Sequence, residues 1–335
     1  MSTPVSKDKT PIVFSTSISQ PEITPDALLL KSIQSNDLGK VQKALENRAD
    51  PNSLSDDQDK YVLHIAAEKG NPLIVKELLN HGARVGMRSW KWRDTPLHRA
   101  CVFGHADVAQ ELIKAKAEIN LRNSNCWQTP LELAIDFKHL KCCEVLLNAK
   151  ASPNERNLNH GSSPFITACD TQNYEIVKLL LSKGANPKKS SFQTALSAAM
   201  GSPSIVSLLV QYGVDVNEPN EIGQYYASGY RPLHKAALLA ADESFELLLN
   251  AGADVDLGCV GLKEERPIDI AKWRLIQERT NPQNSSEQTA SIIKRLENII
   301  RMIEEKSKST SQLESKDHLP KELPESKKNN ISPNK

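Results

Sequence analysis

The sequence predicts an all-α solenoid of about seven to eight helix-turn-helix repeats, with projecting hairpin loops and a C-terminal capping helix. Three observations lead to this prediction. A short Thr-Pro-Leu string returns at a fixed interval, an apolar block with helical spacing follows each copy, and a Gly-Ala pair closes several of these blocks. A fixed period is the sequence signature of repeat architectures, in which each unit buries its apolar face only against its neighbours.

The first helix of each unit is predicted from the Thr-Pro-Leu string. The string at residues 94–100 (DTPLHRA) recurs at 128–134, and Pro96, Pro130 and Pro164 are spaced by 34 residues. Thr caps a helix by accepting a backbone hydrogen bond, and Pro is tolerated in the first turn because its missing N–H would be unpaired there. Further copies, some of them weaker, begin at Tyr61, Ser162, Thr194, Tyr230 and Arg266.

The second helix of each unit is predicted from the apolar block. Residues 108–113 and 176–181 carry Ile, Val and Leu at the i, i+3 and i+4 spacing of a helix with one buried face. Gly82, Gly184 and Gly252 follow such blocks and supply the left-handed residue that ends a helix. The polar residues that come next are expected to form a projecting hairpin.

This combination of strings resembles the ankyrin-repeat family. Seven copies cover roughly residues 25 to 257, and an eighth, partial copy begins near Arg266. The resemblance implies that His64, His98 and His234, at the fourth position of the string, tie neighbouring units together by hydrogen bonds. It also implies that Asn120 and Asn217 are sites of hydroxylation, because they fit the pattern on which an asparaginyl hydroxylase modifies ankyrin repeats.

The ends of the chain are expected to differ from the repeats. Residues 1–23 lack periodicity and are predicted to be disordered, residues 24–280 to form the repeat domain, 285–305 a capping helix and 306–335 a disordered tail. The capping helix carries one apolar side; an alternative is a coiled-coil dimer, although the apolar register spans under two heptads. That apolar side consists of Ile292, Leu296, Ile299 and Ile303.

Composition excludes several classes of partner. The 335 residues carry 42 basic and 41 acidic side chains, a net charge of +1, which gives no electrostatic reason to bind nucleic acid or an anionic membrane. There is no spanning apolar run and no secretory signal at the N-terminus. The six cysteines show no metal-ligand spacing, which favours a reduced, cytoplasmic setting. We expect a monomer.

No arrangement in the sequence predicts catalysis, a cofactor or a metal site. Cys101 and Cys169 occupy a small-residue packing position, and Cys142 and Cys143 lie in a second helix. A nucleophilic cysteine needs a neighbouring base and an electropositive site, and the sequence indicates neither. Phosphate-binding glycine motifs are also absent. We therefore expect a non-enzymatic protein.

Aromatic and basic residues at two successive hairpins predict a partner-binding patch. Hairpin tips are not needed for stacking, and Trp and Arg are enriched at binding hot spots. An acidic partner would suit the basic residues. The alternative is that each Trp merely packs against the neighbouring hairpin. The predicted patch consists of Arg88, Trp90, Lys91, Trp92, Arg93 and Trp127.

A longer connection predicts a second contact region. Residues 217–231 form a loop about five residues longer than its counterparts, and it contains Tyr225, Tyr226 and Tyr230. Insertions in repeat arrays map to loops, often on the binding face. The alternative is a tolerated surface insertion.

The function predicted from these features is a protein–protein interaction scaffold or adaptor that uses hairpin tips and the concave face. Two alternatives remain open: a secreted bacterial effector that acts on host proteins through the same surface, and a substrate receptor of a ubiquitin ligase. The second departs from its family pattern, because no Leu-Cys-rich helical box follows the repeats.

Overall fold

The computed structural model describes residues 24–55, 59–157, 161–188, 194–220, 229–259, 265–280 and 286–317. Over these residues the regular structure is helical, apart from an isolated β-bridge between Leu54 and Tyr61. The helices are α1 (Pro25–Gln34), α2 (Leu38–Glu46), α3 (Val62–Lys69), α4 (Pro72–Asn80), α5 (Pro96–Val102), α6 (Ala106–Lys114), α7 (Pro130–Asp136), α8 (Leu140–Asn148), α9 (Pro164–Asp170), α10 (Tyr174–Ser182), α11 (Ala195–Ala198), α12 (Pro203–Gln211), α13 (Pro232–Leu239), α14 (Asp242–Asn250), α15 (Pro267–Thr280) and α16 (Glu287–Asp317).

The helices form two stacked layers. Each first helix packs on the next first helix, from α1 on α3 through to α13 on α15. Each second helix packs likewise on the next, from α2 on α4 through to α14 on α16. The predicted solenoid is therefore confirmed, and α15 and α16 together continue both layers as an eighth helix pair.

The predicted caps start the first helices. The Thr95 hydroxyl oxygen accepts a hydrogen bond from the His98 N–H at 3.4 Å, and the Thr129 hydroxyl accepts one from the Glu132 N–H at 3.3 Å. Pro follows directly in both helices. Because these caps recur in successive repeats, each first helix begins at the same place relative to its neighbours.

Each second helix buries one apolar face in the core. A triplet such as Ile74, Val75 and Leu78 is fully or almost fully buried, and the same positions recur in the other second helices. Cys142 and Cys143 occupy two of these positions in α8, and both are completely buried. Their place in the repeat explains them as small packing residues.

The pair α11–α12 departs from the others. In it the second helix begins eight residues after the first, whereas α6 begins ten residues after α5. Helix α11 spans only four residues, and Ser197 takes the position of the repeat's histidine. The Ser197 hydroxyl is buried and has no hydrogen-bond partner among the described residues.

The last helix confirms the predicted apolar side and corrects its boundary. Leu296, Ile299 and Ile303 are buried within the chain, where α16 packs on α14 and α15, so these residues are not left free for a coiled-coil dimer. The helix continues to Asp317, and the predicted boundary at residue 305 is therefore too early. The physical reason is that Lys, Glu, Ser and Gln sustain a helix where neither Gly nor Pro interrupts it, and the next proline is Pro320. The segments 1–23 and 318–335 lie outside the described residues.

Candidate partner-binding surface

The first tryptophan hairpin is closed by residues at its base. The Ser89 N–H donates to the Asp94 carbonyl oxygen at 2.8 Å, and the Asp94 N–H donates to the Ser89 hydroxyl at 3.1 Å. Both residues are buried. The four residues between them, 90–93, therefore form an exposed tip on a fixed base.

The backbone of this tip is anchored on the preceding hairpin. The Trp90 N–H donates to the Asp59 carbonyl oxygen at 2.9 Å, and the Lys91 N–H donates to the Asp59 carboxylate at 2.7 Å. Both side chains are exposed at the tip, and Trp90, at 66% exposed, is less covered than Trp92, at 38%. The Lys91 ammonium lies 5.0 Å from the centroid of the Trp92 ring, a cation–π distance.

The second tryptophan hairpin is joined to the first. The Ser124 N–H donates to the Trp92 carbonyl oxygen at 2.8 Å, so the two tips lie side by side. Trp127 is 53% exposed in this second hairpin. The structure thus brings Trp90, Trp92 and Trp127 onto adjacent hairpins, together with the exposed Lys91 and Arg93.

Two residues of these tips adopt a backbone conformation that favours glycine. The φ angle is +55° at Arg93 and +54° at Trp127, and the residue 34 positions after Trp127 is Gly161, with a φ of +65°. A non-glycine residue in the left-handed region costs about 1–2 kcal/mol. The chain therefore places a large aromatic and a basic side chain where glycine is less strained.

Arginines brace the hairpins from beneath. The Arg88 guanidinium donates to the Arg93 carbonyl oxygen of its own hairpin at 3.1 Å and to the Arg122 carbonyl oxygen of the next at 2.5 Å. Arg122 repeats the pattern, to the Trp127 carbonyl at 2.8 Å and the Arg156 carbonyl at 3.3 Å. Because the Arg88 guanidinium holds two hairpins together, we leave it out of the proposed contact surface.

Sequence reasoning missed two exposed aromatic residues on the first helices. Phe103 follows α5 and Phe137 follows α7, at the same repeat position, and both rings are exposed. The Arg99 guanidinium lies 5.2 Å from the centroid of Phe103. The signal in the sequence is that the two phenylalanines recur 34 residues apart, at the same position of successive repeats.

Of the tyrosines of the long connection, Tyr230 is the one that lies within the described residues. Tyr225 and Tyr226 lie outside the described residues. Tyr230 is half-buried, and its ring stacks on His234 with centroids 5.7 Å apart and an angle of 11° between the planes. It lies beside α13, and the first helices α9 and α11 stand between that helix and α7.

The three motif histidines link neighbouring units, as the family resemblance implies. The Nε2 atom of His64 lies 2.9 Å from the Asp94 carbonyl oxygen, and that of His234 lies 2.8 Å from the Glu265 carbonyl oxygen. His98 makes the same kind of contact with the Leu121 carbonyl oxygen at 3.1 Å. Burial lowers the pKa of His98 to about 4, so its ring is neutral at pH 7.

Three of the buried thiols have raised pKa values, whereas the pKa of the completely buried Cys142 is lowered by a hydrogen bond with Cys101. Burial raises the pKa of Cys143 to about 12, and burial also raises the pKa of Cys101 and of Cys169. A thiol with a raised pKa stays protonated at neutral pH and is a poor nucleophile. In the part of the chain that the structure describes, no three His, Cys, Asp or Glu side chains are placed to hold a metal ion. Nor does any helix there have the length and apolar character to cross a membrane.

Comparisons with known proteins agree with this architecture. A family model described as ankyrin repeats, in three copies, matches residues 29–123 and 118–191. The crystal structure of the human ASB11 ankyrin repeat domain matches with a TM-score of 0.55 and 27% sequence identity, over 70% of this chain and 98% of that domain. No curated protein sequence matches the chain.

Proposed function

Because the chain is an ankyrin-repeat protein, we propose that it is a non-enzymatic scaffold or adaptor that binds a partner protein through its hairpin tips and the adjoining first-helix face. Ankyrin repeats generally mediate protein–protein interaction. We place the contact surface at the two tryptophan hairpins. This aromatic–basic surface consists of Trp90, Lys91, Trp92, Arg93 and Trp127.

The observation that carries the proposal is Trp127. Its backbone lies in the left-handed region and its side chain is 53% exposed. A glycine at this position would relieve the strain, and a small polar residue would avoid exposing an indole ring to water. A residue that is unfavourable for the folded chain alone points to a role in binding.

The charge of the surface supports an acidic partner. Lys91 and Arg93 are exposed at the same tip as Trp90 and Trp92. Among the described residues, two carboxylates beside this tip are engaged: Asp59 accepts the Lys91 N–H, and Asp94 is buried with an ion pair to Arg99 at 3.4 Å. Exposed basic groups beside aromatic anchors favour fast, salt-sensitive association with an acidic surface.

Replacing the anchors tests the proposal. We expect a Trp90→Ala/Trp92→Ala variant to lose capture of its natural partner from a lysate of the source organism, measured by affinity purification and mass spectrometry. Because both side chains project from a hairpin whose backbone bonds remain, the thermal midpoint should stay nearly unchanged. A Tyr212→Ala variant removes an exposed aromatic at the end of a second helix and should retain capture.

A different result for the double variant would contradict the proposed surface. If the double variant keeps its partner but melts at a much lower temperature, the two tryptophans serve hairpin packing and the proposed surface is wrong. Adding Trp127→Ala to the pair extends the same test to the second hairpin.

The oligomeric state and the location of the protein are proposed as well. We propose that the protein is monomeric, since α16 buries its apolar side within the chain. We propose that it is cytoplasmic, since four cysteines fill packing positions as thiols. No catalytic role is proposed, because the motif histidines have lowered pKa values and bond to backbone carbonyl groups, and the thiols of Cys101, Cys142, Cys143 and Cys169 are completely buried.

A further inference from the structure

A cavity lies between α13 and α15, far along the solenoid from the tryptophan hairpins. It encloses about 360 Å³, within the range of ligand pockets in proteins. Leu238 and Ile270 form its apolar part, and the rings of Tyr230 and Trp273 stand beside them. The lining is completed by two acidic residues, Glu265 and Asp269, and contains no Lys or Arg among the described residues.

Trp273 is the unexplained residue of this cavity. It lies on α15 and is 57% exposed, although the helix buries other apolar residues such as Ile270 against the solenoid. The two carboxylates line the same cavity as the rings of Tyr230 and Trp273. Burial raises the pKa of Tyr230, and the negative charge of Glu265 raises it further.

The second carboxylate is only loosely held. Asp269 accepts hydrogen bonds from the Arg266 N–H at 3.0 Å and from the Arg266 Nε at 3.4 Å, and both side chains are about half exposed. An exposed ion pair of this kind contributes at most about 1 kcal/mol. Its weakness leaves Asp269 able to exchange this contact for a better-placed cation.

We propose that this cavity binds an arginine side chain presented by a partner protein, with the guanidinium stacked on the Trp273 ring and hydrogen-bonded to the Glu265 and Asp269 carboxylates. An indole face attracts a cation, and Trp is the best ring for this purpose. A planar guanidinium can stack and donate to carboxylates at the same time, which the compact ammonium of lysine does less well.

The occupant comes from another molecule. Residues 1–23 and 318–335, the two terminal segments outside the described structure, contain no arginine. The site extends the proposed function, because it would give a partner protein a second contact, of opposite charge to the first. It does not depend on the aromatic–basic surface, and each can be tested without the other.

Fluorine NMR of the full chain labelled with 5-fluorotryptophan tests this inference. The chain has four tryptophans, and a Trp273→Phe variant identifies the Trp273 resonance. We expect N-acetyl-arginine methylamide to shift that resonance saturably, with the millimolar affinity of a single side chain. N-acetyl-citrulline methylamide, which keeps the shape but lacks the charge, should leave it in place.

Two variants assign the charge. Glu265→Gln and Asp269→Asn should each weaken the arginine titration about fivefold or more, because each removes one charged acceptor. Far-UV circular dichroism and the thermal midpoint confirm that α15 still forms in both. A Trp273 resonance that does not move, or that moves equally with the citrulline compound, would overturn the proposal.

The same spectra keep the two proposals apart. The resonances of Trp90, Trp92 and Trp127 should not respond to the arginine compound, since these rings lie beside basic residues. A Trp273 resonance that does not respond would therefore contradict the cavity proposal but not the aromatic–basic surface. Loss or retention of partner capture in the Trp90→Ala/Trp92→Ala variant tests the aromatic–basic surface but not the cavity.

Discussion

Trp127 shows how a single backbone angle can separate stability from binding. At a φ of +54° the backbone disfavours every residue with a Cβ, so alanine is as strained there as tryptophan. The exposed indole, which we propose as a partner contact, does not relieve the strain. The corresponding Gly161 shows what the position would hold if stability alone decided it.

Comparing two truncations at residue 127 measures this strain directly. We expect Trp127→Gly to be more stable than Trp127→Ala by about 1 kcal/mol, because both lose the same ring and only glycine is free of the left-handed penalty. Urea denaturation with equal m-values gives the difference. At Lys76, inside α4, the order should reverse, with Ala above Gly. If Trp127→Ala is more stable than Trp127→Gly, the left-handed backbone at residue 127 carries no penalty for a residue with a Cβ.

The motif histidines make stability depend on pH. Burial lowers the pKa of His98 to about 4, while in the unfolded chain its pKa is about 6.5. The unfolded state therefore binds a proton first as the pH falls, and the free energy of unfolding decreases between pH 6.5 and 4, by about 3 kcal/mol for His98. The pKa values of His64 and His234 are lowered in the same direction.

Urea midpoints at pH 7 and pH 5 test this dependence. We expect the midpoint to fall at the lower pH, and a His98→Gln variant to show a smaller fall because one of the three groups no longer titrates. The exposed His81 provides the matched control, and its replacement by Gln should leave the fall unchanged. Equal falls in the wild type and His98→Gln would contradict the assignment.

At the scale of elements, the hairpins are held by a ladder of arginines spaced by 34 residues. Arg88, Arg122 and Arg156 each donate to a carbonyl five residues later, at distances between 2.8 and 3.1 Å. Arg88 and Arg122 also reach the carbonyl of the next arginine. The ladder gives the tips a rigid support without using their exposed side chains.

An Arg122→Lys variant tests the ladder. Lysine keeps the charge but cannot donate in two directions from a planar group, so we expect a loss of about 1–3 kcal/mol in the free energy of unfolding. Chemical denaturation measures the loss. The exposed Arg84→Lys should change stability by less than about 0.5 kcal/mol. A loss no larger than that control would show that the ladder contributes nothing.

The sequence predicts these elements unevenly, for physical reasons. Caps such as Thr95 and Thr129 are readable because they act on the backbone within three residues. The end of α16 is not readable in the same way, because its polar residues resemble a disordered tail although none of them breaks a helix before Pro320. The role of Arg88 depends on carbonyl groups in another hairpin, which composition at the tip does not reveal.

At the scale of the whole molecule, stability in a solenoid is a sum of units and the interfaces between neighbours. Helix α11 is the shortest helix of the array, with four residues, and Ser197 stands where α3, α5 and α13 carry the linking histidine. Among the described residues, its buried hydroxyl has no hydrogen-bond partner. A buried hydroxyl without a partner costs about 1–3 kcal/mol.

Native-state hydrogen exchange tests whether this unit opens first. We expect amides of α11 and α12 to exchange at a lower opening free energy than those of α5 to α8, because local opening follows the least stable interfaces. Ser197→Ala, which removes the unpaired hydroxyl, should raise protection in α11 and α12 and leave α5 to α8 as they are. Uniform protection along the whole array would rule out a weak unit.

The position of α11 has a consequence for any protein that contacts both ends. The tryptophan tips lie on its N-terminal side and the acidic cavity on its C-terminal side, so a ligand that contacts both spans this unit. Such a ligand holds the units on either side of α11 together and thereby opposes its local opening. The complex should then melt at a higher temperature than the free chain, and by more than a ligand bound to one half alone would achieve.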